Sequence, residues 1–349
     1  MQIPTPYLIF LADAKDALAA KTGQGIKDWR PEHCIAQLRL PGCQADLRIP
    51  DMDARTAASA GAATLVIGTV SPGGGLPDAW IPILTDALAA GLNLASGMHI
   101  RLTQIEALRA AASANGRALF DLRHSDETFA TGSGKPRPGR RLLTVGTDCS
   151  VGKKYAALAL EREMRARNIN VDFRATGQTG ILIAGAGIAI DAVVADFISG
   201  AAEALSPANS ADHWDVIEGQ GSLYHPSFAG VSLGLLHGSQ PDAFVVCHEP
   251  TRTTMRNVDT PIANIEAVIN ATVSHGKLTN PAIRCVGVSV NTAALREKAA
   301  TDLLSELGSR HGVPAWDPLR PEAGATTAVV VDELVSQFSE QLPEQPVGR

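Results

Sequence analysis

The chain has 349 residues, and its 36 acidic and 30 basic side chains give a formal net charge of −6. At about 150 residues per domain, this length predicts two domains. Hydrophobic residues make up 45% and charged residues 19%, a balance that is typical of globular proteins and excludes disorder over most of the chain. The mildly acidic charge, without a long basic run, gives no reason to expect a nucleic-acid partner.

No stretch of the sequence is suited to crossing a membrane. A bilayer span needs about 18 or more apolar residues, and the longest candidate, 181–190, is interrupted by Gly185 and Gly187. The first residues lack the basic region of a secretory signal. The five cysteines are scattered and form no C-x-x-C pair, which argues against a disulfide framework or a zinc site. We therefore expect a cytoplasmic protein with no membrane partner.

Short apolar segments alternate with helical patterns along the N-terminal half. This alternation predicts βαβ units and a parallel sheet. The loops SPGGG at 71–75 and ASGMH at 95–99 follow two of the predicted strands, where a small ligand would dock; turns without a ligand are the alternative. The predicted strands cover 7–11, 64–70 and 92–96, and the predicted helices cover 78–91 and 103–114.

One segment has the composition of a linker. Residues 131–140, TGSGKPRPGR, contain three glycines, two prolines and three basic residues without apolar periodicity, which favours a domain boundary. We therefore predict an N-terminal domain over 1–130, this linker, a C-terminal domain over 141–341 and a frayed tail over 342–349.

The C-terminal half repeats the alternation of strands and helices. Ligands of such parallel sheets bind beyond the carboxyl ends of the strands, so the loops after the strands are the places to search for a site. The predicted strands cover 142–145, 171–175, 215–218, 243–248 and 283–290, and the predicted helices cover 153–167, 190–205, 262–274 and 294–308.

The strongest motif is GTDCSVGKK, which follows a predicted strand and opens a predicted helix. Glycines let backbone N–H groups turn around an anion, and the helix N-terminus adds free donors, so this order predicts a phosphate-binding loop. A glycine turn that happens to precede a helix is the alternative. The candidate cofactor-binding residues of the loop are Gly146, Thr147, Asp148, Cys149, Ser150, Val151, Gly152, Lys153 and Lys154.

The loop departs from the common phosphate-loop pattern in two ways. Its first glycine lies one residue further from the second than usual, and Lys154 stands where a hydroxyl residue normally holds Mg²⁺. Two adjacent lysines suit an anion that is bound without metal, so we expect no metal. Cys149 is either a small filler residue or, with its thiol activated by the helix N-terminus, an acyl carrier.

Two loops after later strands supply candidate catalytic groups. The loop EGQGSLYHP begins with Glu218, which is a candidate base or holder of metal or water; a capping acid is the alternative. His225 in the same loop is either catalytic or structural. The hydroxyl of Ser222, or the backbone N–H groups of residues 219–222, would stabilise an oxyanion.

Further polar residues are candidates for binding the substrate. Arg174 or Arg252 would hold acceptor carboxylates, and Asn291 either contacts an adenine edge or caps a helix. The loops 71–75 and 96–99 would close the site from the other domain. The candidate substrate-binding residues are Arg174, Thr176, Gln178, Thr179, Gly180, Gln220, Arg252, Ser71, Gly73, Gly74, Ser96 and His99.

The order GTDCSVGKK, ATGQTG, EGQGSLYHP, HEPTR resembles the C-terminal domain of a family long described only as of unknown function, whose characterised members are D-glutamate N-acetyltransferases. The loops SPGGG and ASGMH resemble its N-terminal domain, so the resemblance spans nearly the whole chain. It implies a Rossmann-like parallel-sheet α/β domain followed by a P-loop NTPase-like α/β domain. It also implies an acyltransferase that moves acetyl from acetyl-CoA to the amino group of D-glutamate or a related amino acid, in D-amino-acid catabolism.

Three hypotheses follow. In the favoured one, residues 146–153 hold the diphosphate of acetyl-CoA while Glu218 or His225 deprotonates the amine of a small-molecule acceptor, in an enzyme that we expect to be a homo-oligomer. The second is an ATP- and Mg²⁺-dependent ligase or kinase, because the loop and VIEGQGS are also similar to dethiobiotin synthetase. The third is a nucleotide-sensing protein without catalysis.

Overall fold

The computed structural model of the chain describes residues 2–16, 19–69, 75–98, 100–124 and 127–339. The chain forms two compact units. The N-terminal unit comprises the chain up to Thr128 together with Ala175–Ala192, and the C-terminal unit comprises Phe129–Arg174 and the chain from Val193 onward. Among the described residues, no helix has the length and apolar character that crossing a membrane requires.

The N-terminal unit is built on a parallel five-stranded sheet in the order β2-β1-β3-β4-β5 among the described residues. Every residue of β1 is buried, and Phe10 on this strand meets the Trp80 ring edge-on at a centroid distance of 5.3 Å. The strands are β1 Tyr7–Ala12, β2 Cys34–Arg39, β3 Thr64–Ile67, β4 Asn93–Ser96 and β5 Leu119–Asp121; the helices are α1 Lys21–Trp29, α2 Ala54–Ser59, α3 Ile81–Ala89, α4 Glu106–Asn115 and α6 Gln178–Ala184.

The C-terminal unit holds a second parallel sheet, of six strands among the described residues, in the order β11-β10-β9-β6-β8-β7. The order reverses at β6, so the loop after β6 lies at the switch point where such sheets bind ligands. The strands are β6 Arg140–Gly146, β7 Val171–Arg174, β8 Trp214–Ile217, β9 Ala243–His248, β10 Arg284–Val290 and β11 Ala315–Trp316; the helices are α5 Lys153–Ala166, α7 Ile198–Leu205, α8 Ala229–Ser239, α9 Ile265–Gly276, α10 Glu297–His311 and α11 Thr327–Ser339.

Two parallel α/β sheets confirm the predicted fold class. The predicted helix over 190–205 is wrong in its first half, where two 3₁₀ turns, Ile190–Ala192 and Ala195–Phe197, precede α7. The helical pattern is interrupted at Val194, because an extended residue cannot continue the i→i−4 hydrogen bonds of a helix. Val194 adopts an extended conformation with ψ of 137°.

The glycine-rich helix α8 escaped the sequence analysis because glycine disfavours helices. Its glycines are needed for close packing against α7. A Cβ on Gly238 would lie 2.1 Å from the Ser199 carbonyl oxygen, and a Cβ on Gly234 would lie 2.5 Å from Ile198 Cγ2. Tertiary packing therefore stabilises a helix that the local sequence does not favour.

The segment 131–140 is fixed onto the C-terminal unit. The backbone N–H groups of Ser133 and Gly134 each donate to Glu203 Oε1 at 2.9 Å. The Arg137 guanidinium donates to the carbonyls of Ser206 and Gly238. This segment therefore has an extensive network of hydrogen bonds despite its linker-like composition.

Candidate active site

The loop between β6 and α5 closes around the amino group of Lys153. This lysine is only 7% exposed, and its Nζ donates to the Asp148 carbonyl oxygen at 2.7 Å. Burial lowers the pKa of Lys153, while the nearby thiols and carboxylates, Glu218 among them, oppose that change. Gly152 has a φ of +109°, a conformation that favours glycine. The loop therefore places a buried amino group at the N-terminus of a helix, an arrangement that suits a phosphate group.

The carboxylate of Asp148 connects this loop to the segment after β9. It is fully buried and accepts hydrogen bonds from Arg252 Nη1 at 2.6 Å, from the Arg256 backbone N–H at 2.8 Å and from the Cys149 backbone N–H at 2.6 Å. Burial opposes ionisation of Asp148, but these hydrogen bonds, led by that of Arg252, hold its pKa below the ordinary value. Asp148 therefore acts as a structural anion.

The segment after β9 forms a small hairpin. Thr254 and Pro261 make an antiparallel bridge, and the buried Met255 anchors the hairpin. At its turn, Arg256 is exposed and donates from Nη1 to the Ser150 hydroxyl at 2.6 Å. Arg256 was not among the residues predicted from the sequence, although a second arginine four residues beyond Arg252 is a signal that the sequence contains.

Glu218 and Ser222 lie beside the phosphate loop. Glu218 directly follows β8, is 6% exposed, and lies close enough to Lys153 for its charge to raise that lysine's pKa. A Cβ on Gly219 would lie 1.6 Å from the Thr144 carbonyl oxygen, so this turn requires glycine. Ser222 lines, with Gly146, Gly219 and Gln220, a cavity of about 20 Å³, which is room for one water molecule.

His225 is a buried residue whose two ring nitrogens already have partners. Nδ1 accepts from the Ser227 backbone N–H at 3.2 Å, and Nε2 lies 2.9 Å from the Arg256 carbonyl oxygen. This pattern places the proton on Nε2. The side chain is 1% exposed. The structural alternative for His225 therefore agrees with the geometry, in which the ring fastens the hairpin.

The two predicted carboxylate-binding arginines both have protein partners. Arg174 Nε donates to Asp215 Oδ1 at 2.7 Å, and its Nη2 donates to Asp172 Oδ2 at 3.1 Å. Arg252 Nη1 donates to Asp148 and to the Cys149 carbonyl oxygen. Both charges are therefore compensated within the protein, and the binding of an acceptor carboxylate by either arginine stays a prediction.

Three further candidate cofactor-binding residues, Cys149, Asn291 and Thr147, have contacts within the protein or a shifted pKa. Burial raises the pKa of the Cys149 thiol, which opposes a role as acyl carrier. Asn291 Oδ1 accepts from the Ala293 backbone N–H, and α10 begins only at Glu297, so Asn291 does not cap that helix. The Thr147 hydroxyl lies 3.0 Å from His248 Nδ1.

Several substrate-binding candidates belong to the N-terminal unit. Thr176 is buried, whereas Gln178, Thr179 and Gly180 lie in the first turn of α6. A Cβ on Gly97 would lie 2.9 Å from Gln178 Cβ, so the loop after β4, which follows Ser96, meets this helix. The candidates Ser71, Gly73, Gly74 and His99 lie outside the described residues.

Two groups of the described residues have the side chains and spacing of metal ligands. They are Asp148, Cys149 and His225, and Asp172, His213 and Asp215. In each group an arginine already contacts the carboxylates, Arg252 in the first and Arg174 in the second. These guanidinium groups supply the positive charge that a metal ion would otherwise bring.

Comparisons with known proteins match both units. Residues 128–327 match a family described as a domain of unknown function (DUF1611_C), P-loop domain, and residues 38–125 match DUF1611_N, a Rossmann-like domain. Relatives from a Pseudoalteromonas species and from Tritonibacter scottomollicae are each 50% identical over 92% of this chain and 97% of their own length, and both are named D-glutamate N-acetyltransferase. The crystal structure of a DUF1611 family protein from Anabaena variabilis has a TM-score of 0.81 at 31% identity, covering 95% of this chain and 100% of that one.

Proposed function

The chain belongs to the DUF1611 family, and from that premise we propose that it is a D-glutamate N-acetyltransferase that uses acetyl-CoA as the acyl donor. The observation that carries the proposal is the 50% identity, over 92% of the chain, to two proteins of that name. The phosphate loop supports it, because coenzyme A contains a diphosphate. We further propose a cytoplasmic location, supported by five free cysteines.

We propose that the donor diphosphate binds in the loop formed by residues 146–153. Backbone N–H groups at the start of α5 and the ammonium of Lys153 would donate to its oxygens. Lys154 replaces the hydroxyl that holds Mg²⁺ in nucleotide-hydrolysing loops. This replacement supports the binding of a diphosphate that stays intact through the reaction.

Acetyl transfer requires a neutral amine, because an ammonium group has no lone pair to attack the thioester. The amino group of a free amino acid is mostly in the ammonium form near neutral pH, so a base accelerates the reaction. We propose Glu218 as this base. Glu218 first takes the extra proton of the ammonium group and releases it to solvent. The amine nitrogen then attacks the thioester carbon, a second N–H proton passes to Glu218, the C–S bond breaks, and the coenzyme thiolate takes up that proton.

The proposed oxyanion donors are the backbone N–H groups of residues 219–222 and the Ser222 hydroxyl. Both these groups and Glu218 lie beside Lys153 at the diphosphate end of the donor. The proposal therefore requires the thioester arm to fold back along the carboxyl edge of the C-terminal sheet. For the acceptor, Ser96, Thr176, Gln178, Thr179, Gly180 and Gln220 remain candidate residues.

The test is a thiol-release assay with acetyl-CoA and D-glutamate. Lys153→Ala is expected to raise the KM for acetyl-CoA about 10- to 100-fold, since a hydrogen bond to a charged group contributes about 1.5–3 kcal/mol. Lys298→Ala is the matched control, because Lys298 is exposed on α10 and pairs with Asp302; its kinetics are expected to stay unchanged.

Parallel arms supply L-glutamate in place of D-glutamate, and ATP with Mg²⁺ in place of acetyl-CoA. Thiol release that depends on D-glutamate supports the proposal. Turnover of ATP without thiol release would replace it with the ligase or kinase hypothesis.

A further inference from the structure

We propose that Arg256 and Ser150 form a second anion subsite, which binds the ribose 3′-phosphate of the donor beside the diphosphate. This inference rests on the proposed function, because it concerns the same donor. It assigns a specificity role to an arginine that lies outside the phosphate-loop motif.

Arg256 is held over the phosphate loop at three points. Its backbone N–H donates to Asp148 Oδ2 at 2.8 Å, its backbone carbonyl oxygen lies 2.9 Å from His225 Nε2, and its guanidinium donates to Ser150 Oγ at 2.6 Å. Asp148 and His225 are both buried. Two buried side chains therefore fasten the backbone of an exposed residue, which positions its guanidinium before any ligand arrives.

The charge of Arg256 is not compensated by the protein. Arg252, on the same segment, pairs with the buried Asp148 carboxylate. Among the residues that the structure describes, no carboxylate lies within ion-pair distance of Arg256. Its recorded side-chain partner is a neutral hydroxyl. A guanidinium stays ionised at all relevant pH values and binds phosphate oxygens through two parallel N–H groups, so this site favours an anion.

The position of the subsite next to the phosphate loop indicates which anion it binds. Ser150 is part of the phosphate loop itself, so a group bound by Ser150 and Arg256 lies next to the diphosphate. In coenzyme A the 3′-phosphate is on the ribose, which is attached directly to that diphosphate, whereas the thioester is at the far end of the pantetheine arm. An acceptor carboxylate reaches this place only when the folded arm brings it there, whereas the ribose alone fixes the phosphomonoester next to the diphosphate. We therefore assign the subsite to the phosphomonoester of the donor, and the KM for D-glutamate distinguishes it from an acceptor carboxylate.

The experiment measures the Kd of coenzyme A and of dephospho-coenzyme A by calorimetry. We expect the unmodified protein to bind coenzyme A about 10- to 100-fold more tightly, the range expected for hydrogen bonds to a charged group. Arg256→Ala is expected to remove this preference while the Kd of dephospho-coenzyme A stays within about twofold. Arg310→Ala is the control, because Arg310 is exposed on α10 and pairs with Glu306.

A second variant tests the subsite without altering the hairpin, because the loss of the Arg256 side chain could weaken binding by loosening that segment. Ser150 has a φ of 55°, a conformation that glycine accepts readily, so Ser150→Gly removes the hydroxyl without straining the loop. It is expected to reduce the preference for coenzyme A in part, and thermal unfolding of each variant checks the fold.

The two proposals fail in different ways. Equal binding of coenzyme A and dephospho-coenzyme A by the unmodified protein overturns the subsite and leaves the acetyltransferase proposal standing. A loss in Arg256→Ala that appears in the KM for D-glutamate and not in donor binding also overturns it. Absence of binding by both forms of the coenzyme contradicts the acetyltransferase proposal and the subsite together.

Discussion

The two ends of strand β8 carry buried acidic side chains in contrasting surroundings. Asp215, near the start of the strand, accepts from Arg174 and from the Ser206 hydroxyl at 2.5 Å, and His213 lies 3.6 Å away. Glu218, directly after the strand, lies beside Lys153 and the phosphate loop. The first acid is held by an arginine and a hydroxyl, whereas the second lies beside the buried lysine of the phosphate loop. Burial of a charged group therefore does not by itself indicate a functional site.

The same contrast separates the arginines. Arg174 and Arg252 each donate to a carboxylate of the protein, and they fix strands and loops. Arg256 is held through its backbone while its guanidinium contacts only the Ser150 hydroxyl among the described polar side chains. A cation that the protein positions without neutralising is better suited to bind a substrate than one that is already paired.

The largest expected effect comes from the acid at the loop end of β8. Glu218→Gln removes the proposed base and is expected to lower kcat about 10²- to 10⁴-fold, with the KM for acetyl-CoA changed far less. Steady-state thiol release measures both values. His225→Gln is the comparison, and we expect its kcat to fall less than that of Glu218→Gln. A greater loss in His225→Gln would make the histidine the base.

The next effect comes from the acid at the other end of the same strand. Asp215→Asn leaves Arg174 without its closest carboxylate, and breaking a buried ion pair costs about 3–5 kcal/mol. We expect the free energy of unfolding in urea to fall by about 3 kcal/mol while the Kd of coenzyme A stays unchanged. Weakened coenzyme binding by a variant that remains folded would place Asp215 in the functional site and remove the contrast between the two ends.

A smaller effect is expected at Asp148, and it depends on pH. Because the folded protein lowers the pKa of Asp148, this carboxylate stabilises the fold above its unfolded pKa of about 3.9, and that contribution is lost as the pH falls through the folded pKa. The difference in unfolding free energy between the unmodified protein and Asp148→Asn is therefore expected to be constant from about pH 5 to 7. It should shrink below about pH 4.

Urea unfolding of both proteins across this pH range measures the difference. A difference that grows as the pH falls would contradict the lowered pKa of Asp148.

The sequence predicted the fold class and the phosphate loop because both depend on local patterns. Apolar strands alternate with helices, and the motif GTDCSVGKK lies between a strand and a helix. The roles of Arg174, His225 and Arg256 depend on partners distant in sequence. Arg174 pairs with a carboxylate 41 residues away, and the Arg256 side chain contacts a hydroxyl 106 residues away. No local pattern contains these contacts, so the sequence predicted the loop but not its surroundings.

The most direct test of the account is a crystal structure of the protein with acetyl-CoA. The account predicts an intact diphosphate within the loop of residues 146–153, with Lys153 Nζ at hydrogen-bond distance from its oxygens. A donor bound elsewhere, with this loop empty, would contradict the central claim that Lys153 and the start of α5 hold the acyl donor.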